Sequence, residues 1–107
     1  MSAYAVAHLT QVDVGPEIVS YLERIDATLA PFGGRFVIHG GPVDVREGEF
    51  TGDVIAIEFP DRGRATAWYE SSEYQKLVPL RANNSEGWLI LLDGVDATHR
   101  AIDVLSP

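Results

Sequence analysis

The stretch from Asp53 to Arg81 constrains the fold most, because the spacing of its apolar residues changes from period two to helical at a proline. Val54 to Phe59 alternates in the way of a strand, and Pro60 then ends the run. Asp61 can cap a following helix, and the chain's densest group of aromatic and hydrogen-bonding side chains comes next. We therefore expect any site to border this segment.

The rest of the chain reads as strands and helices in alternation. Steps of four, three and four residues put Ile18, Leu22, Ile25 and Leu29 on one stripe of a helix. The predicted elements are a strand at Tyr4–Thr10, a helix from Pro16 that Pro31 and Gly33-Gly34 end, strands at Arg35–His39 and Val54–Phe59, helices after Asp61 and from Ser72, and a strand at Glu86–Leu92. Val43 to Phe50 is predicted to be an extended arm.

This order, β-α-β-β-α-β, predicts an α+β fold of the ferredoxin-like type, with an antiparallel sheet and helices on one of its faces. The other face is predicted to be apolar as well. In the last strand Trp88, Ile90 and Leu92 alternate with Leu89 and Leu91. Monomeric proteins rarely leave so large an apolar face in water, so a second copy is expected to cover it, giving a dimeric α/β barrel.

Length and composition exclude several classes of protein. With 107 residues, 46% of them hydrophobic, the chain is expected to form one domain at residues 1–95 and a C-terminal tail at residues 96–107. It has no cysteine, and its net charge of −8 argues against nucleic acid as a partner. The longest apolar run, Trp88 to Leu92, is far too short to span a membrane, and no secretory signal is recognised, so a cytoplasmic location is predicted.

Several short motifs between residues 3 and 95 resemble those of one family. They are Gly33-Gly34-Arg35, Gly40-Gly41, Glu47-Gly48, Glu58-Phe59-Pro60, Ala67-Trp68-Tyr69 with Ser71, Glu73-Tyr74-Gln75 and Pro79-Leu80-Arg81. The family is known only as domain of unknown function 1330. The resemblance implies a ferredoxin-like chain that pairs into a dimeric α/β barrel, similar in shape to small monooxygenases and isomerases that use no metal. It implies no reaction, and His39 stands where many relatives are expected to carry an arginine.

Two residues are candidates for catalysis. Strict alternation puts His39 and Glu58 on the same face of neighbouring strands, where a carboxylate beside an imidazole can tune a general base. A buried pair that fixes dimer register explains the same residues. A metal site that adds His8 to them is conceivable by ligand type, but the spacing matches no known motif, and neither a metal nor another cofactor is expected.

Four residues after Pro60 are candidates for ligand binding. Trp68, Tyr69 and Tyr74 can line a pocket for an apolar or aromatic molecule, with Arg81 as the partner of an anion. The alternative is that the aromatic residues are core and that Arg81 pairs with a local carboxylate. Ser71 and Ser72 are interpreted as helix caps rather than nucleophiles.

The sequence thus predicts a small homodimer that binds a small organic molecule and can act on it without a cofactor, as an isomerase or monooxygenase does. The alternative, of a different class, is a non-catalytic dimerisation or sensing module.

Overall fold

An antiparallel four-stranded sheet forms the centre of the protein, which a computed structural model describes over residues 1–106. The strands are β1 (Ala3–Thr10), β2 (Arg35–His39), β3 (Asp53–Phe59) and β4 (Glu86–Asp93), in the order β2-β3-β1-β4. Helix α1 (Pro16–Leu29) joins β1 to β2, and α2 (Arg62–Glu70), α3 (Ser72–Gln75) and α4 (Val78–Ala82) join β3 to β4. The predicted α+β class and order of elements are confirmed.

Helix α1 begins as predicted but turns a different face to the sheet. Gly15 is its N-cap residue and Pro16 occupies the first turn. Its buried face consists of Ile18, Tyr21, Ile25, Thr28 and Leu29. Leu22, predicted to belong to that face, is 46% exposed. The buried stripe is therefore centred on Tyr21 and Ile25, and it carries two hydroxyl groups that the apolar pattern did not show.

The connection from β3 to β4 consists of three short helices with separate starts. Asp61 caps α2 by accepting a hydrogen bond from the backbone N–H of Arg64 at 2.8 Å. Ser71 caps α3, because its Oγ accepts a hydrogen bond from the N–H of Tyr74. The expectation that Ser72 caps this helix is wrong, since Ser72 is its first residue. Pro79 lies in the first turn of α4 and so starts a helix instead of ending one.

The core lies between the sheet and the helices. On this face β1 presents Ala3, Ala5 and Ala7, all buried. The largest fully buried side chains are Trp68, Tyr74, Phe59, Leu29 and Leu77. The indole N–H of Trp68 donates to the Thr28 hydroxyl at 3.0 Å, which ties α2 to α1. The small strand residues leave room that the aromatic rings of α2 and α3 partly fill.

An irregularity in β2 changes which of its residues face the helices. Phe36 pairs with Ile57, but Ile38 pairs with Ala56 and His39 with Ile55, so Val37 is an extra residue in the ladder. Beyond this bulge the alternation is inverted. His39 therefore lies on the helix face of the sheet, whereas regular alternation placed it on the other.

The other face of the sheet, here called the open face, carries no helix of this chain. Trp88, Ile90 and Leu92 of β4 are 49%, 42% and 46% exposed there. The predicted arm between β2 and β3 has no regular structure, and the tail is an exposed segment with a 3-10 helix at Ala101–Leu105. The last residue of the predicted tail, Pro107, lies outside the described residues.

Within residues 1–106, no helix combines the length and the apolar character that crossing a membrane requires.

Replacing Gly34 tests how tightly the end of α1 packs on β3. A Cβ at this position would lie 2.7 Å from the Phe59 ring and 2.9 Å from a Leu29 methyl group. Gly34→Ala is therefore expected to lower the free energy of unfolding by about 1–3 kcal/mol through overpacking. Urea denaturation measures the change.

The control is Gly63→Ala, the same substitution in the first turn of α2. A Cβ there would meet only an Asp61 oxygen at the ordinary distance of 3.5 Å. This variant is expected to be neutral or more stable by up to about 1 kcal/mol. Equal losses in the two variants would contradict the packing described for Gly34.

Candidate functional site

A cavity of about 340 Å³ lies between the sheet and α1. Along β1 and β3 it extends from the pair Leu9–Asp53 to the pair Ala5–Ile57. Four residues of strand correspond to about 13 Å. Most of the wall is apolar, from both strands and from α1. The remaining lining residues of chemical interest are Tyr21, His39, Asp53, Trp68 and Arg81.

The wall nearest α2 and α3 is a cluster of aromatic side chains. The rings of Trp68 and Tyr74 lie 4.0 Å apart between centroids, and Tyr69 packs on both from outside. Both side chains are fully buried, but Trp68 lines the cavity and Tyr74 lies behind it. The Tyr74 hydroxyl contacts the Tyr21 hydroxyl at 2.8 Å, so hydrogen bonds link this wall to α1.

Arg81 reaches the cavity from α4 and carries an unneutralised charge. The position of α4 is fixed by Asn84, whose side chain donates to Glu17 Oε1 at 3.2 Å and whose carbonyl accepts from the N–H of Asp13. Among residues 1–106, Arg81 forms no salt bridge and its buried Nε has no hydrogen-bond partner. The local carboxylate that the core interpretation required for Arg81 is thus not found.

The guanidinium of Arg81 lies beside the hydroxyls of Tyr21 and Tyr74, and the three groups affect one another. Burial acts to lower the pKa of Arg81, but the combined interactions with Tyr74 and Tyr21 outweigh it and raise this pKa. Burial also raises the pKa of Tyr21, and the neighbouring Tyr74 adds to that rise. The cation therefore stays charged and the Tyr21 hydroxyl stays neutral at ordinary pH.

The mouth of the cavity lies where β2 ends beside the start of β3. His39 stacks on Phe36 with 4.4 Å between ring centroids, and both line the cavity. Gly40 and Gly41 follow, and a Cβ on Gly40 would lie 3.4 Å from Asp53 Oδ1. The carboxylate of Asp53 thus lies over Gly40, on the same face as His39. An imidazole and a carboxylate are the polar side chains at this entrance.

Glu58 is not at this site. It lies on the open face, where Arg35 Nη2 donates to Glu58 Oε1 at 2.7 Å and the Tyr4 hydroxyl donates to Oε2 at 3.2 Å. Partial burial acts to raise the pKa of Glu58, but these hydrogen bonds, led by that from Arg35, hold it below its ordinary value. The expectation that His39 and Glu58 meet is wrong, because the bulge at Val37 turns His39 to the opposite face.

The same geometry separates the ligands of the conceivable metal site. His8 lies on the open face, with its Nε2 2.7 Å from the carbonyl of Thr51 and its ring against Phe50 and Trp88. His39 faces the helices. In the part of the chain that the structure describes, no three histidine, aspartate or glutamate residues are grouped so as to hold a metal ion.

Of the residues predicted from the sequence, the structure brings His39, Trp68 and Arg81 to one cavity. Tyr74 supports Trp68 from behind, while Tyr69 and Glu58 do not line the cavity. Tyr21 and Asp53 also line the cavity but were not predicted from the sequence. Tyr21 could have been found, because Ile18, Tyr21, Ile25 and Thr28 follow helical spacing as well as the chosen stripe does.

Fold and cavity together define a ferredoxin-like α+β protein with an apolar chamber between sheet and helices. The model of the family described as "Domain of unknown function (DUF1330)" matches residues 2–95, and the chain belongs to this family. The recognition made from the sequence motifs is thereby confirmed. A search of curated protein sequences found no match.

Three solved structures show the same fold at low sequence identity. A protein of unknown function from Rhodopseudomonas palustris is 15% identical, with a TM-score of 0.63 over 89% of this chain and 83% of that one. A dimeric ferredoxin-like protein of unknown function from Jannaschia sp. CCS1 is 11% identical, with a TM-score of 0.60 over 88% and 100%. SnoaB, a cofactor-independent oxygenase from Streptomyces nogalater, is 19% identical, with a TM-score of 0.59 over 92% and 98%.

The raised pKa of Tyr21 predicts a loss of stability in alkali. A group whose pKa is higher in the folded state than its ordinary 10.0 contributes stability that is complete below that pH and is lost above it. We expect Tyr21→Phe to make the decline of unfolding free energy above about pH 10 shallower by roughly 1.4 kcal/mol per pH unit. Urea denaturation from about pH 8 to about pH 11 tests this expectation.

Tyr4→Phe is the matched control, because it removes a hydroxyl from the open face and leaves the cavity unchanged. This variant leaves the Tyr21 hydroxyl in place, so the contribution of Tyr21 to the alkaline decline should persist in it. Parallel curves for the parent chain and Tyr21→Phe would show that the Tyr21 hydroxyl is not the group responsible.

Proposed function

We propose that this protein is a homodimer that binds a small, largely apolar organic molecule in the cavity between its sheet and α1. The cavity itself is the observation that carries the proposal. Its volume of about 340 Å³ is within the range of ligand sites, and it combines apolar walls with a few polar groups at defined positions.

The site is built to keep its shape without a ligand. Trp68 is held by the Thr28 hydroxyl, Tyr74 by Tyr21, and α4 by Asn84. Each of these hydrogen bonds connects an element that lines the cavity to another part of the fold. A cavity whose walls are held in this way binds with little ordering of side chains, which favours affinity.

The homodimer is proposed because the open face of the sheet is apolar. Trp88, Ile90 and Leu92 form a row along β4, and Val6 and Ala56 lie on the same face of the sheet. If half of a standard interface of about 1,600 Å² were apolar, its burial would contribute about 20 kcal/mol before the costs of association. The dimeric description of the Jannaschia protein, which shares the fold, supports the same arrangement.

A second, narrower function is conversion of the bound molecule without a cofactor. The fold shared with SnoaB, a cofactor-independent oxygenase, supports it, and His39 at the mouth would serve as the base. Glu58 has no place in this function, because it lies on the open face. The alternative remains a non-catalytic sensing module that uses the same cavity.

The cytoplasmic location and the lack of a nucleic-acid partner stay predictions from the sequence.

A charge on the open face should separate the two copies. Ile90 lies in the middle of the β4 row, and Ile90→Arg would bury an unpaired cation at the interface. We expect sedimentation velocity to show a dimer for the parent chain and a folded monomer for this variant at micromolar concentration.

Val19→Arg is the control, because it puts the same charge on an exposed apolar position of α1. It should remain a dimer. A well-folded monomer of the parent chain would contradict the proposed homodimer.

Filling the cavity should abolish ligand binding. Ala7 is buried and lines the cavity, so Ala7→Leu takes up space that the ligand needs. We expect native mass spectrometry or difference density to reveal a co-purified molecule in the parent chain and none in this variant. A metabolite at a hundred times its dissociation constant should add about 2.7 kcal/mol of stability to the parent chain alone.

Ala67→Leu makes the same change at an exposed position of α2 and should leave binding intact. Failure of a broad metabolite library to stabilise the parent chain, together with the lack of any co-purified molecule, would argue against the binding function.

A further inference from the structure

Arg81 is a lining side chain whose positive charge is not matched by the residues around it. Its guanidinium is half-buried and meets a mostly apolar wall, and no carboxylate of residues 1–106 forms a salt bridge with it. Its buried Nε lacks a hydrogen-bond partner. A charge taken from water without a partner is costly, and proteins keep such groups paired unless something else supplies the partner.

The nearest polar groups do not neutralise this charge. The hydroxyls of Tyr21 and Tyr74 contact each other at 2.8 Å, and the guanidinium lies beside both. A phenol solvates a cation, but it brings no negative charge while it is protonated. The three groups together form a cationic, hydrogen-bonding patch on an apolar wall.

We propose that the ligand of this cavity is an apolar monoanion, a carboxylic acid or an acidic phenol, whose charged oxygen pairs with Arg81. This inference rests on the proposed binding function and gives its ligand a chemical class. A guanidinium presents several N–H donors in a planar fork, which suits the two oxygens of a carboxylate. The hydroxyl of Tyr21, which lines the cavity, lies next to that fork and can hydrogen-bond to the same oxygens.

The charge distribution limits the ligand to a single negative charge. Asp53 lines the mouth, and the chain as a whole carries a net charge of −8. A second carboxylate on the ligand would face Asp53, the His39 imidazole or an apolar wall instead of a second guanidinium or ammonium group. Dianions are therefore disfavoured, which separates this cavity from sites that bind dicarboxylates or phosphate esters.

The dimensions limit the remainder of the molecule. The lining pairs from Leu9–Asp53 to Ala5–Ile57 span about 13 Å of strand. The side chains opposite the strands are Ile18, Leu22 and Ile25 of α1, with Trp68 at the aromatic wall. The body of the ligand is accordingly an aromatic ring or a branched hydrocarbon that is no longer than this span.

Three probes of similar shape test the inference: 4-ethylbenzoate as the monoanion, 4-ethylbenzamide as its neutral analogue, and terephthalate as the dianion. Binding is measured by isothermal titration calorimetry and by the shift in thermal unfolding. For the parent chain we expect the monoanion to bind at least about tenfold tighter than either of the other two, a difference of about 1.4 kcal/mol.

Arg81→Gln removes the charge and should bring the dissociation constants of the benzoate and the benzamide to within about threefold of each other. Arg81→Lys keeps the charge without the fork and should retain part of the preference. Arg24→Gln removes an equal charge from an exposed position of α1 and should leave the preference unchanged. The series on the parent chain decides the question even if Arg81→Gln does not fold.

Two results would overturn the inference while leaving the binding function standing. One is benzamide binding as tightly as benzoate in the parent chain, and the other is a preference for benzoate that survives in Arg81→Gln. A co-purified molecule without an acidic group would also overturn the inference and leave the binding function standing. Failure of the binding function is recognised separately, by the lack of both a co-purified molecule and a stabilising metabolite.

Discussion

The distance between sheet and helices depends on Ala3, Ala5 and Ala7 of β1, a central strand that presents these three methyl groups to the helical layer. Ala3 and Ala5 belong to the buried cluster that includes Phe59 and Trp68, so aromatic rings fill the space above them. Ala5 and Ala7 also line the cavity. A larger residue at either end of this row would change both the packing of the rings and the volume of the cavity.

The core and the site share their hydrogen bonds. Thr28 is a buried polar residue that binds the indole of Trp68, and Tyr21 is a buried hydroxyl that binds Tyr74. Both buried hydroxyls of α1 form hydrogen bonds with aromatic residues of the second helical connection. The same contacts that dock α1 therefore orient the cavity wall, so strands and helices form most of the site outside its mouth.

Much of the fold could be predicted, because apolar periodicity and capping residues act locally. Asp61 began a helix as expected, and the two faces of β4 were assigned correctly. Trp68 and Arg81 were found because they lie in an unusual concentration of aromatic and polar side chains. The orientation of His39 was predicted wrongly, because it depends on a contact between distant parts of the chain. The alternation of β2 gives no sign of the extra residue at Val37, which is visible only in the pairing of β2 with β3.

The role of Tyr21 in the cavity wall was not predicted for another reason. Its ring fits an apolar stripe as well as Leu22 does, and the choice between them depends on how α1 is rotated over the sheet. That rotation is set by partners more than 50 residues away, such as Tyr74. Asp53 was read as the residue before a strand, and its position over Gly40 follows from the close approach of two chain segments.

The bulge in β2 also has an evolutionary consequence. Because Phe36 pairs with Ile57 and Ile38 with Ala56, loss of the codon for Val37 would restore a regular ladder in which Ile38 and His39 keep their present partners. His39 would stay at the chamber entrance and Ile38 would stay on the open face. In this architecture the polarity of the entrance survives such a change in chain length, because it is set by which residue lies opposite Ile55.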